Sequence, residues 1–438
     1  MKNTAFIILI SISMTGNAKL MAAESYSQLA ELTAAAFLPE TPVPAAQPVS
    51  PQTGTRAPAD SKVVRVVRSK YWERIECYQD KTHPFAAQSV LNKSRHEDLE
   101  VVAAFGSQLP DSSLFLLHFG PKWRVNKGKV VVLAHGASDN STRAWAAPEM
   151  MTGDPYKTGL LQALEAKGYR VFAVTFPHKH GNIFYEAQYL ADAVELAKLA
   201  TGAAKVTLIG HSAGGLAARA YVSGYRLNTA WTAYRGDVEK LITLATPHRG
   251  TDFAFRHPEF NYFSIKDEPV ANAPMSWDRI LYYGQWQDTS EFSIYSDNFP
   301  MQQQVLYDWT AKYPVNTLSP DFYTTLHGGQ GFVSHSLGIN NAILKGGNFM
   351  NNFMAYPVPP ELPVVVIAGT NSTMKDIPAT EKDGPSDGLL FVESASHTAD
   401  LNHPARKLPI KTYLVNENHL TISYSPAMQA MITGLVNN

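Results

Sequence analysis

Between residues 61 and 78 the run Val63-Val64-Arg65-Val66-Val67, followed by Tyr71-Trp72 and Ile75, reads as a strand. The apolar positions in 100–105 and 114–118 predict two more, and together these segments form the antiparallel edge of a sheet. From Lys129 onward the period alternates. Short apolar runs at Val130 to Ala134, Val171 to Thr175, Val206 to Ile209, Leu241 to Ala245, Pro363 to Ala368 and Ile410 to Val415 predict buried strands. Between them, Thr158 to Ala166, Tyr185 to Ala200 and the segment after Gly214 carry helical spacing, and Ser425-Pro426 opens a final helix. Strands alternating with helices predict an α/β fold, a mostly parallel sheet with helices on both faces.

One interval breaks the alternation. Roughly a hundred residues separate Ala245 from Pro363, too many for a plain loop. A folded cap or lid insertion at about 252–360 is expected, inside a domain spanning 61–438. Its first half holds Phe253, Phe255, Phe260, Tyr262, Phe263, Trp277, Tyr282, Tyr283, Trp286 and Phe292. Most of these suit the insertion's own core, and some are expected to line an apolar site beneath it.

The ends and the composition narrow the setting. Met1-Lys2-Asn3-Thr4 followed by an apolar stretch to Met14 reads as a signal peptide over 1–23, with cleavage after Ala18 or Ala23. Residues 24–60, with Pro42, Pro44, Pro48 and Pro51, read as a Pro/Ala-rich linker or arm. Cys77 is the only cysteine, so no intrachain disulfide and no cysteine-based metal cluster can form. That combination suits a secreted or periplasmic bacterial protein. A net charge of −1 points to no nucleic-acid partner.

The chemistry concentrates at Gly210-His211-Ser212-Ala213-Gly214, which joins a predicted strand to a predicted helix. A serine hydroxyl attacks only when a base removes its proton. Flanking glycines permit the strained turn that lifts it clear of the sheet. The expected partners follow in chain order. Asp387 precedes Gly388 and an apolar run, with Asp376 and Asp383 as rival acids; His419 follows the last strand, with His397 and His403 as rival bases. The loop His135-Gly136-Ala137 ends the first parallel strand, so the N–H groups of Ala137 and Ala213 are the expected oxyanion donors. His135 and His211 are expected to pack or hydrogen-bond around the site. Thr246-Pro247-His248-Arg249-Gly250 reads as either a pocket wall or a structural turn.

Jointly these motifs resemble the lipase-like α/β-hydrolases, with the closest likeness to secreted bacterial triacylglycerol lipases and the inositol-deacylase-like group. The resemblance spans Lys129 to the C-terminus, interrupted by the insertion. It implies an α/β-hydrolase fold with a mobile lid and a serine ester hydrolase forming an acyl-enzyme. Ser212, Asp387 and His419 would be the triad and Ala137 and Ala213 the oxyanion hole, with no cofactor or metal. The implied substrate is a lipid or other hydrophobic ester, met through transient contact with a lipid interface. The same triad would serve a phospholipase, a polyester depolymerase or an acyltransferase; a binding protein on the hydrolase fold is the non-enzymatic alternative.

Overall fold

The computed structural model describes residues 61–152, 158–258, 274–315, 320–374 and 380–437. The expected leader and arm, Phe260, Tyr262, Phe263 and Asp376 lie outside the described residues.

Strands β1 (Ser61–Val67) and β2 (Arg74–Asp80) form an antiparallel hairpin where one strand was expected, because the chain turns between Val67 and Arg74. The segment expected as the next strand is instead helix α1 (Leu99–Phe105). Local capping decides this. Asp98 accepts from the N–H groups of Glu100 and Val101, and Gly106 closes the helix in the left-handed conformation. Val101, Ala104 and Phe105 are then buried together while Leu99 faces solvent. Strand β3 (Leu114–Phe119) pairs antiparallel with β2.

The parallel part begins with β4 (Val130–Ala134), followed by helix α2 (Leu160–Ala166), β5 (Arg170–Thr175) and helix α3 (Ile183–Thr201). Then come β6 (Val206–His211), helix α4 (Ala213–Ser223) and β7 (Val238–Leu244). Beyond β7 lies the insertion. It contains strands β8 (Arg279–Tyr282) and β9 (Gln285–Asp288), helix α5 (Pro300–Gln304), strands β10 (Gly329–Gln330) and β11 (Ser334–Ser336), and helix α6 (Phe349–Phe353). Strands β12 (Val364–Gly369) and β13 (Lys411–Val415) and helix α7 (Pro426–Asn437) complete the chain.

The main sheet has nine strands in the order β1-β2-β3-β5-β4-β6-β7-β12-β13. From β5 to β13 all neighbours are parallel. Alternation of side chains along each strand divides the core in two. Val132, Val174, Leu208 and Leu241 meet α3 and α4 on one face. Val131, Leu133, Ile209 and Ile242 meet α2 and α7 on the other. Strands covered on both sides must be apolar throughout, which is why β4 and β12 read as unbroken runs.

The insertion has its own small core around Phe255, Ile294, Leu306, Leu326 and Ile339. Its strands form a separate four-stranded sheet. The expected aromatics divide by position. Phe255 enters this core, Trp277 stacks on Phe322, and Phe292 packs beside Leu91, Met275 and Phe299. Tyr282, Tyr283 and Trp286 lie on the exposed β8–β9 hairpin. Polar contacts seat the insertion on the main body: Met301 N–H donates to His180 O at 3.1 Å, and Ile183 N–H donates to Gln304 Oε1 at 2.8 Å. Among the described residues no helix is long and apolar enough to cross a membrane.

Candidate active site

Ser212 sits between β6 and α4 with φ 52° and ψ −128°, a conformation that L-residues rarely adopt. The surroundings enforce it. A Cβ on Gly210 would lie 2.5 Å from Gly215 Cα, and one on Gly214 would lie 2.2 Å from His135 O. Only glycine lets strand, turn and helix approach this closely. The turn is held from below, since Ser212 N–H donates to Leu244 O at 2.9 Å and Gly215 N–H to Ser212 O at 3.0 Å. Ser138 and Ala245, just beyond β4 and β7, also have positive φ, so strain gathers at the same sheet edge.

The loops after β12 and β13 meet this turn. Ser212 Oγ lies 3.0 Å from His419 Nε2, and His419 Nδ1 lies 2.9 Å from Asp387 Oδ2. Because the partner of Nδ1 is a carboxylate, that nitrogen carries the proton and Nε2 accepts from the serine hydroxyl. Asp387 is fully buried. Its Oδ1 accepts from the N–H groups of Leu389 at 3.0 Å and Leu390 at 2.8 Å, which leaves Oδ2 directed at the imidazole. The two loops also share backbone, with His419 N–H donating to Asp387 O at 2.9 Å. Asn418 steadies the histidine turn by accepting from Leu420 and Thr421 N–H.

The rival residues are engaged elsewhere. Asp383 pairs with Arg256 at 2.9 Å, His397 pairs with Asp400 at 2.9 Å, and His403 Nδ1 accepts from Ala405 N–H. His135 donates from Nδ1 to Gly136 O at 2.8 Å, and His211 donates from Nε2 to His419 O at 2.8 Å. Burial pushes His135 down to about 4 and His211 down to about 3, so both rings are neutral at ordinary pH. The Thr246–Gly250 turn ties elements together: Arg219 of α4 donates to His248 O at 2.9 Å, and Arg249 donates to Tyr307 Oη of the insertion at 3.2 Å.

The loop after β4 carries Ala137. Next to it, Ser138 N–H donates to Lys179 O at 2.8 Å, bracing the loop against the β5–α3 connection. Among the described residues no backbone acceptor takes the N–H of Ala137 or Ala213. Sequence reasoning missed this brace. The polar run His178-Lys179-His180 directly after a buried strand was its visible signal. Among the described residues no group of three or more His, Cys, Asp or Glu side chains could hold a metal ion.

Residues 131–408 match the model of the alpha/beta hydrolase family. The chain belongs to that family. Solved structures similar to this hydrolase include a Bacillus licheniformis lipase in mature form, at 14% identity and TM-score 0.37, covering 70% of this chain and 91% of that one. Another is Est1E from Butyrivibrio proteoclasticus with ferulic acid bound, at 13% identity and TM-score 0.35, covering 74% and 92%. A third comes from work on carboxylesterases of Nitrososphaera gargenis, at 15% identity and TM-score 0.36, covering 74% and 94%. No curated protein matches the sequence.

Proposed function

We propose that this alpha/beta hydrolase is a serine ester hydrolase acting on hydrophobic carboxylic esters. One observation carries the reading: a serine on a strained strand-to-helix turn, 3.0 Å from an imidazole that is itself 2.9 Å from a buried carboxylate. His419 Nε2 takes the Ser212 proton as Oγ attacks the ester carbonyl. Asp387 holds the ring tautomer and stabilises the imidazolium. The tetrahedral oxyanion is met by the N–H groups of Ala137 and Ala213, each such donor being worth about 3 to 4 kcal/mol in the transition state. His419 returns the proton to the leaving alcohol, and water repeats the sequence on the acyl-enzyme to release the acid.

The triacylglycerol-lipase-like specificity, the leader over 1–23 and a secreted or periplasmic location belong to the same proposal. They rest on the apolar N-terminal stretch and on the aromatic insertion after β7. The test is hydrolysis of a short and a long p-nitrophenyl ester by the mature chain beside Ser212→Ala. Loss of activity in the variant supports a serine esterase, and a preference for the long ester supports a lipid pocket. No activity in either protein would sink the proposal.

A further inference from the structure

Away from the serine turn, a cavity of about 710 Å³ opens between the start of α3, the end of α4, and helices α5 and α6. Tyr225, which lines it, follows the C-terminal cap of α4, whereas Ser212 caps the N-terminus. Eleven helical residues therefore separate the two places, about 16 Å along the axis. None of Ser212, Asp387 and His419 lines the cavity.

Its polar groups are fixed in orientation. Gln303 is only 6% exposed and gives both protons of Nε2 away, to Ile294 O and Ser296 O at 2.8 Å each. Its Oε1 is left as a bare acceptor. Asn182 Oδ1 accepts from Phe184 N–H at 2.9 Å and from Gln304 Nε2 at 3.1 Å, so its Nδ2 is left as a donor. Gln304 is locked in turn by Ile183 N–H at 2.8 Å. On the far side, Asn351 spends its amide on Asn348 Oδ1 at 2.6 Å and keeps its own carbonyl oxygen. Among the described residues these three atoms have no protein partner, and none of them is sealed from solvent.

The rest of the lining fits one ligand chemistry. Tyr356 is 40% exposed and packs on Tyr225 with ring centroids 4.5 Å apart, so one aromatic face is fixed and open. No carboxylate lines the cavity. Lys345 is neutralised by Asp297 at 2.7 Å, and Arg226 uses Nη1 on Trp231 O at 2.6 Å. An apolar acyl chain would strand the fixed acceptors and donor without partners, which disfavours it. A group that can both accept and donate would satisfy them: a hydroxyl. A ring bearing several hydroxyls on its rim and C–H bonds on its faces would also cover Tyr356.

We propose that this cavity is a carbohydrate-binding site, taking pyranose units whose hydroxyls meet Asn182, Gln303 and Asn351 and one of whose ring faces covers Tyr356. The Gln303 and Asn182 amides are preorganised, so little ordering cost remains there for the ligand to meet. Binding here is independent of the ester chemistry.

The test is calorimetric titration of full-length Ser212→Ala with maltotetraose, cellotetraose and tetragalacturonate, each raised to about 10 mM. At least one should bind with Kd under about 1 mM, and Tyr356→Ala and Asn351→Ala should each weaken it about tenfold or more. Uronate preference would place Arg226 in the site; preference for a neutral sugar would leave recognition to the amides. Gln303→Leu strips two carbonyls of their donor and can fail to fold, so the two exposed variants decide. In the Ser212 background, Tyr356→Ala should hydrolyse a p-nitrophenyl ester at the unaltered rate. Absence of binding by all three sugars, or binding that survives both exposed substitutions undiminished, would overturn the proposal.

Discussion

His211 donates from Nε2 to the backbone carbonyl of His419 at 2.8 Å, with the two rings 5.2 Å apart. The residue before the serine thus holds the loop that bears the imidazole, while His419 N–H holds the same loop to Asp387 O. In the proposed reaction His211 is a positioning residue. His211→Ala removes the donor and should lower kcat about tenfold to thirtyfold, the worth of one buried hydrogen bond, with KM little changed. His211→Gln, whose amide nitrogen reaches about as far, should restore most of it. Steady-state kinetics of the two variants check this, and equal losses would mean that the ring acts only as packing.

Asp387 and His419 predict different failures. Asp387→Asn keeps the size but offers an amide where the imidazole needs a carboxylate, so the wrong tautomer is favoured and kcat should drop by about 10⁴. His419→Ala should abolish measurable turnover while the chain still folds, because the ring bonds Ser212 and Asp387 and belongs to neither apolar core. Retained activity in His419→Ala would point to His397, which the structure pairs with Asp400.

How much of this was legible depends on whether the signal was local. The buried parallel strands were readable because two-sided burial leaves only apolar residues in them. The Gly210–Gly214 turn was readable because backbone crowding leaves only glycine. Asp387 and His419 could be proposed from their places after β12 and β13, since a doubly wound sheet presents its loops there, and the structure brings both beside Ser212. Residues 100–105 were misread as a strand because their apolar run suits either period, and two hydrogen bonds to Asp98 decide for the helix Leu99–Phe105. The insertion's small sheet and the fixed amides around Gln303 depend on partners far along the chain. Gln303 and Asn182, 121 residues apart in sequence, show no shared pattern until α5 docks on α3.

Lys179 braces the Ala137 loop through its carbonyl, yet its ammonium is buried and, among the described residues, makes no ion pair. Burial pulls it down to about 8, with Arg143 adding repulsion and Glu97 and Asp139 opposing weakly. A lysine whose folded pKa is depressed penalises folding fully below that pKa, and the penalty fades as pH rises through 8 toward the unfolded value near 10.4. Lys179→Met should therefore stabilise the protein by on the order of 2 kcal/mol at pH 7 and by much less at pH 10. Melting curves of both proteins across that range check it; a gain that does not shrink with pH would assign the effect to packing.

Arg256 joins the insertion to the loop that carries Asp387. Its side chain is fully buried, with Nε 2.8 Å from Asp252, Nη1 2.9 Å from Asp383 and Nη2 donating to Tyr313 O at 2.5 Å. Asp252 is buried too, and desolvation pushes it up to about 6 even though Arg256 pulls the other way. Truncation to Ala leaves that carboxylate unpaired, so Arg256→Ala should cost about 3 to 5 kcal/mol at pH 8. The pH dependence carries the signature. A carboxyl with a raised folded pKa loses stability as pH climbs from its unfolded value through its folded one, which in the wild type ends near 6. Without Arg256 the folded pKa rises further, so the gap between wild type and variant should keep widening from pH 6 to pH 8. Arg256→Lys, with one charge and no fork, should recover part of the loss. A gap that stays constant across that interval would show that Asp252 finds another partner.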